Sequence, residues 1–145
     1  MSIRKITTIT PEQTALSHDL THNQKVLLSP VSHVSRNDIQ TETVQQVITD
    51  LHDTLFAHEI CIGLAAPQIG YDIAIVCICE TRAEADFKIL INPKIISETG
   101  KKDDKRESCM SLPGYAGSTL RRKSVEVEYM NEKGQMKARL FDGFS

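Results

Sequence analysis

The chain has 145 residues and a mass of 16.2 kDa, and its 17 basic and 19 acidic residues give a formal net charge of −2. A hydrophobic content of 40% and a charged content of 25% are typical of one small globular domain and exclude a disordered chain. The near-neutral charge and the lack of a basic stripe argue against nucleic acid as a partner. No apolar run reaches the ~18 residues of a membrane span, and the first residues lack a signal-peptide core, so we expect a cytoplasmic protein without a membrane contact.

The N-terminal residues predict a short helix. Thr10 has the character of an N-cap, Pro11 suits the first helical position, and Gln13 completes a capping box, so the helix would run to about His22. Its apolar content is low, and we interpret residues 1–24 as an N-terminal extension and residues 25–145 as the main domain. The stretch from Val26 to Pro30 is interpreted as extended chain that leads into a loop.

The clearest helix in the sequence covers about residues 41–57. Apolar residues recur along it at the spacing of one helical face: Val44, Val47, Ile48, Leu51 and Leu55.

The rest of the chain favours strands. Ile73 to Cys79 and Lys88 to Asn92 read as buried strands, with a break expected at Asn92-Pro93 and a turn or loop over the polar run from Glu98 to Arg106. Alternation at residues 125–129, the turn Asn131 to Gly134 and the following residues to Leu140 predict a hairpin with one solvent-facing side. The expected class is therefore α+β with mainly antiparallel sheets.

Four cysteines are present, and without a secretion signal they are expected to be free thiols. Cys77 and Cys79 lie in an apolar run rich in β-branched residues, where cysteine behaves as a small hydrophobic residue. Cys61 and Cys109 lie outside this apolar run.

Two segments have the composition of a functional site. Gly63 to Gly70 combines small residues, which let a ligand approach the backbone, with Gln68, which offers a donor and an acceptor. The segment Glu107-Ser108-Cys109-Met110-Ser111 places a thiol between a carboxylate and a hydroxyl after a polar run. The alternative is a purely structural role, in which Gly63 and Gly70 only shape turns and Cys109 only fills space in the core.

In this order and spacing the two segments resemble the peptide deformylase family, metal-dependent hydrolases that remove the formyl group from the starting methionine of new bacterial polypeptides. The family carries a Gly-x-Gly-φ-Ala-Ala-x-Gln loop, a Glu-Gly-Cys-x-Ser segment and a helical Gln-His-Glu-x-Asp-His motif. The resemblance covers about Lys25 to Ser145, and it includes Leu90-Ile91-Asn92-Pro93 and Phe141-Asp142-Gly143-Phe144. It implies a peptide-deformylase-like fold and hydrolysis of N-formylmethionyl peptides.

The resemblance also implies a role for each matched residue. Cys109 would bind a divalent metal, iron or zinc, and Gln68 with the backbone N–H of Met110 would stabilise the oxyanion. Gly63 and Leu64 would bind the substrate backbone. Glu107 would order the cysteine segment without touching the metal. The resemblance thus implies a functional role for six residues: Cys109, Gln68, Met110, Gly63, Leu64 and Glu107.

The chain departs from the family pattern at three points. Cys61 takes the place of the loop's first glycine, where it would narrow the substrate entrance or constrain the loop, and Ser108 replaces the glycine of the cysteine segment. The His-Glu-x-x-His motif has no counterpart within the 145 residues, so two metal ligands and the general acid/base are missing. We therefore expect the chain as given to be inactive or nearly so.

The histidines offer one alternative ligand pair. His18 and His22 lie at i and i+4 with Asp19 between them, which mimics the missing motif, although a solvated helix is the favoured interpretation. His33, His52 and His58 are expected to be surface or helix-end residues.

Three further expectations follow from the missing helix. Its place at the centre of the family's fold predicts exposed apolar surface, which the sheets could cover by closing around another element such as the N-terminal helix; the favoured expectation is a homodimer contact or a partner protein. A non-catalytic deformylase-like binding or interaction protein is the alternative function. A thiol-based function at Cys109 is weaker, because no motif places a histidine beside it.

Overall fold

The structure is a computed structural model that describes residues 3–8, 20–108, 111 and 116–142. The described residues form one antiparallel sheet of five strands in the order β1-β2-β3-β4-β5, so every strand pairs with its neighbour in the sequence. The strands are β1 Gly63–Ala65, β2 Ile75–Ile78, β3 Lys88–Ser108, β4 Ala116–Met130 and β5 Met136–Asp142. The α-helices of the described part are α1 His22–Leu28 and α2 Glu42–Ala57, and the α+β class with mainly antiparallel strands is confirmed.

Helix α2 provides one side of the core. Thr41 caps its N-terminus by accepting a hydrogen bond from the Val44 N–H, and the helix ends at Ala57. The apolar residues of its predicted face are all buried: Val44, Val47, Ile48, Leu51 and Leu55. The predicted helix over about residues 41–57 is therefore confirmed.

The other side of the core is one face of strands β1 to β3. Residues paired across these strands point to the same face, and Leu64 of β1, Cys77 of β2 and Ile89 of β3 form one such row. All three are buried in the cluster that includes the α2 face. Cys77 and Cys79 are 0% exposed, as expected for cysteines that act as small hydrophobic residues.

Helix α1 corrects the expectation of extended chain around Val26. Thr21 Oγ1 accepts a hydrogen bond from the Gln24 N–H at 3.2 Å, and Gln24 Oε1 accepts one from the Thr21 N–H at 3.0 Å. This reciprocal capping box starts the helix at His22, and Val26 within the helix is buried. The predicted helix from Thr10 to about His22 falls mostly on residues 9–19, outside the described residues. Its expected end is corrected, because Leu20 and Thr21 are not helical and Thr21 instead caps α1.

Strand β3 corrects two further expectations. It continues through Asn92-Pro93 and through the polar run from Glu98 to Arg106, because β4 pairs with it over almost its whole length. Asn92 has a φ of 53°, and the register shifts between Ile91 and Lys94, so Pro93 lies in a bulge where a missing N–H costs no ladder bond.

The predicted C-terminal hairpin is confirmed. Strands β4 and β5 pair from Met130↔Met136 to Ser124↔Asp142. The turn between them is held by Asn131, whose Oδ1 accepts hydrogen bonds from the N–H groups of Lys133 and Gln135.

Within the described residues, no helix combines the length and the apolar character that a membrane span requires.

Candidate active site

The candidate site begins at the edge strand β1. After α2 the chain enters β1, and Ala66–Ile69 then forms a 3₁₀ helix that carries Gln68. Gly70 ends this turn with a φ of 94°, a conformation that residues with a Cβ rarely adopt. A Cβ at Gly70 would also lie 3.0 Å from Asn23 Oδ1, a tight contact that the Asn23 side chain would have to relieve by a small movement.

The side-chain amide of Gln68 is held by two hydrogen bonds, one that it accepts and one that it donates. Its Oε1 accepts from the Ala65 N–H at 2.9 Å, and its Nε2 donates to Ser111 Oγ at 3.2 Å. Because the first contact fixes the oxygen, the donating nitrogen faces the segment that contains the cysteine. The structure therefore brings the two segments singled out in the sequence into direct contact.

Ser111 is the site residue to which the sequence analysis assigned no role. It is 3% exposed, and its hydroxyl links Gln68 to the chain two residues after Cys109. The sequence contains a signal for such a role, since Ser111 is the final serine of the family's Glu-Gly-Cys-x-Ser pattern. Cys109 and Met110 themselves lie outside the described residues, and their implied roles stay predictions.

Strand pairing decides which backbone groups of β1 face outward. The Cys79 N–H donates to the Ile62 carbonyl at 2.8 Å, which makes this a hydrogen-bonded pair. In an antiparallel ladder such pairs alternate, so Leu64 bonds to β2 while the N–H and C=O of Gly63 point away from it. Gly63 is exposed, whereas the Leu64 side chain is 3% exposed and belongs to the core.

Only the backbone of Glu107 is described by the structure. It pairs with Gly117, and Ser108 pairs with Ala116, so the last described pair of the β3–β4 ladder lies directly before Cys109 in the sequence. The side chain of Glu107 lies outside the described part of the structure, and its predicted role in ordering the cysteine segment is untested.

Cys61 faces the interior. It is 3% exposed, and its Sγ donates to the Gly63 carbonyl at 3.4 Å. Burial raises the pKa of this thiol above its ordinary value. Of the two effects expected for a side chain at this position, the structure favours a constraint on the loop over a narrowed entrance.

The described residues do not form a metal site by themselves. Among residues 3–8, 20–108, 111 and 116–142, no three histidine, cysteine or acidic side chains are placed to hold one ion. His22 is an exposed residue at the start of α1, and His18 lies outside the described residues. The alternative ligand pair of His18 and His22 thus receives no support here.

His52 differs from its sequence expectation. His33 is exposed and His58 caps α2, as expected, but His52 is half-buried, with ring centroids 4.9 Å from both Phe56 and Phe87. Its Nδ1 lies 2.9 Å from Asp53 Oδ1, and its Nε2 contacts Glu84. The hydrogen bond to Asp53, helped by Glu84, raises the pKa of His52 above 6.5 despite partial burial.

We expect the stability of the chain to fall as the pH rises past the folded-state pKa of His52. Because that pKa is raised, the protonated form contributes stability that is fully present below 6.5 and is lost as pH rises through the folded value. Urea midpoints measured from about pH 5 to about pH 8 should decline in the wild type, and His52→Gln should flatten this part of the profile. Equal profiles for both proteins would contradict the prediction.

Comparison with known proteins adds a family match. The model of the polypeptide deformylase family matches residues 19–145. The chain is 40% identical over 101 residues to "Peptide deformylase 2" of Vibrio cholerae, covering 70% of this chain and 60% of that protein. It is 37% identical over 110 residues to the peptide deformylase of Pseudothermotoga lettingae, covering 76% of this chain and 60% of that protein. The chain thus spans about 60% of the length of these curated relatives.

Solved structures agree with the fold. A peptide deformylase from Legionella pneumophila matches 98% of this chain and 73% of its own, with a TM-score of 0.80 and 26% identity. A peptide deformylase from Synechococcus elongatus in complex with actinonin matches 99% of this chain and 68% of its own, with a TM-score of 0.77 and 28% identity.

Proposed function

Because the chain belongs to the polypeptide deformylase family, we propose that it supplies the substrate strand, the oxyanion-binding glutamine and the metal-binding cysteine of a deformylase active site. The substrate would be an N-formylmethionyl peptide, hydrolysed at the formyl amide. One observation carries the proposal: the hydrogen bond from Gln68 Nε2 to Ser111 Oγ, which joins the glutamine loop to the segment of the cysteine.

Gln68 suits the stabilisation of a developing oxyanion. Its oxygen is held by the Ala65 N–H, so its amide cannot turn without losing that bond, and the nitrogen stays directed at the cysteine segment. A donor that is fixed before the reaction requires no reorganisation when negative charge develops. The backbone N–H of Met110, the residue before Ser111, would be the second donor.

Gly63 suits the binding of an extended peptide. Its N–H and C=O point outward from β1, which is an edge strand of the described sheet, where a peptide adds as a further strand through main-chain hydrogen bonds. The C=O also accepts from Cys61 Sγ, and its second lone pair is available to a peptide N–H. A Cβ at Gly63 would meet only ordinary contacts, at 3.7 Å from the Cys77 carbonyl, so Gly63→Ala leaves the fold intact and tests this surface alone.

The metal would be divalent, iron or zinc, with Cys109 as one ligand. When bound, it supplies Lewis-acid activation of water. Within the described part of the chain no three histidine, cysteine or acidic side chains are grouped to hold an ion, and the Gln-His-Glu-x-Asp-His motif of the family does not occur within the 145 residues. Catalysis therefore requires these histidines and the glutamate from a further segment, either in the same polypeptide or in a partner.

Metal content tests the assignment of Cys109. We expect less than one bound iron or zinc per chain in the 145-residue protein, and close to one when the chain is fused after Ser145 to a segment that carries the family motif. Elemental analysis after anaerobic purification measures both. Cys109→Ala should abolish stoichiometric metal in the fusion, while Cys61→Ala, at a buried thiol near the loop, should retain it. Stoichiometric metal in the Cys109→Ala fusion would contradict the assignment.

Two expectations stay predictions: the cytoplasmic location, and a homodimer or partner protein that covers apolar surface. No described contact bears on either of them.

A further inference from the structure

A buried carboxylate lies behind the Gln68 loop, on α2 beside its predicted apolar face. Asp50 is 2% exposed, and it is surrounded by donors. Its Oδ1 accepts from Gln46 Nε2 at 2.8 Å, and its Oδ2 accepts from the Tyr71 hydroxyl. A charge in this position is stable only while its partners stay in place, since losing one leaves a buried carboxylate undersatisfied.

Arg4 joins this cluster from the N-terminal segment, residues 3–8. Its Nη1 donates to the Tyr71 hydroxyl at 3.1 Å and lies 3.9 Å from Asp50 Oδ2, and its guanidinium lies 4.8 Å from the centre of the Tyr71 ring. The Arg4 N–H donates to Thr54 Oγ1 at 2.8 Å, which attaches the segment to α2.

The same segment then contacts the loop. The Thr7 N–H donates to the carbonyl of Gln68 at 2.6 Å. One residue later, the Thr8 carbonyl accepts from Gln24 Nε2 at 3.0 Å, so the segment is held on both sides of this contact. From the other end of the loop, the Tyr71 N–H donates to the Ala66 carbonyl at 3.1 Å.

We propose that Asp50 is a positioning residue that fixes the Gln68 loop through Tyr71 on one side and through Arg4 and Thr7 on the other. The carboxylate contacts both the Tyr71 hydroxyl and the Arg4 guanidinium. The Tyr71 N–H bonds the Ala66 carbonyl, and Thr7, three residues after Arg4, bonds the Gln68 carbonyl. The network is buried at Asp50 and open at Arg4, whose side chain is 43% exposed, and the buried carboxylate favours the loop conformation in which its donors stay in place. The consequence for catalysis rests on the proposed function, whereas the effect on the loop does not.

Amide exchange and side-chain NMR of the 145-residue chain test the inference. Asp50→Asn replaces an acceptor with a donor, and Tyr71→Phe removes only the hydroxyl. In both variants we expect the Thr7 amide to exchange roughly tenfold faster relative to core amides of β2, and the side-chain amide signals of Gln68 to shift. Phe141→Leu, on the opposite edge strand β5, is the control for a general loss of stability.

The outcomes separate positioning from stability. If both variants change Thr7 exchange and the Gln68 signals only as much as Phe141→Leu does, Asp50 is structural and the inference is overturned. If Asp50→Asn does not fold, Tyr71→Phe alone decides between these results. If the loop signals change as expected while the fused wild-type chain hydrolyses no formyl peptide, the proposed function fails and the positioning role stands.

Discussion

Gln68→Glu is expected to lower kcat for formyl-peptide hydrolysis by about 10²–10³-fold in the chain fused to the family's histidine motif. The glutamate keeps an oxygen for the Ala65 N–H, so the loop bond of 2.9 Å is retained. It replaces the donating Nε2 with a second acceptor, which faces Ser111 and adds negative charge where the oxyanion would form. Steady-state kinetics at one pH and one metal content measure the effect.

Gln135→Glu is the matched control for this substitution. The Oε1 of Gln135 likewise accepts a hydrogen bond, from Asn131 Nδ2 at 3.0 Å, and a glutamate keeps that acceptor in the β4–β5 turn. We expect its kcat to equal that of the wild type. A Gln68→Glu enzyme with wild-type kcat would contradict the role of Gln68 as the oxyanion donor.

Asn92→Ala is expected to lower the free energy of unfolding by about 2–4 kcal/mol. The Asn92 side chain is bound to both backbone groups of Val34: Oδ1 accepts from the N–H at 2.8 Å, and Nδ2 donates to the carbonyl at 2.7 Å. Its φ of 53° adds a second cost, because alanine is strained in the left-handed region that asparagine tolerates. Urea unfolding at fixed pH measures the change.

Asn92→Gly separates the two contributions. Glycine loses the same side-chain hydrogen bonds but adopts the positive φ without strain, so we expect a loss about 1 kcal/mol smaller than that of alanine. Equal losses for the two variants would show that the backbone conformation of Asn92 contributes nothing to stability.

The elements predicted well from sequence are those whose pattern is local. Helix α2 has five apolar residues on one face and a capping threonine, and the C-terminal hairpin has a turn signal between alternating strands. Strand β3 was predicted only up to Asn92, because the polar run beyond it has no apolar alternation and forms a strand by pairing with β4. Pairing between distant segments leaves no pattern in the local sequence from which it could be predicted.

For the candidate site, too, the sequence predicts the local segments but not the contacts between them. Gln68 and the cysteine segment were recognised from composition and family pattern, but the contact between Gln68 and Ser111 spans 43 positions in sequence. The sequence does not point to Asp50, because a single acidic residue within an amphipathic helix normally faces solvent. Its partners Arg4 and Tyr71 lie 46 residues before it and 21 after it, and only the tertiary structure shows the network.

Hydrolysis of an N-formylmethionyl peptide by the fused chain tests the central claim most directly. With iron or zinc supplied, we predict turnover by the fusion and none by its Cys109→Ala variant, with both proteins folded by circular dichroism. Turnover by the Cys109→Ala fusion equal to that of the unsubstituted fusion would contradict the claim that this chain supplies the metal-binding cysteine of a deformylase. Absence of turnover in a folded, metal-loaded fusion would contradict the proposed activity itself.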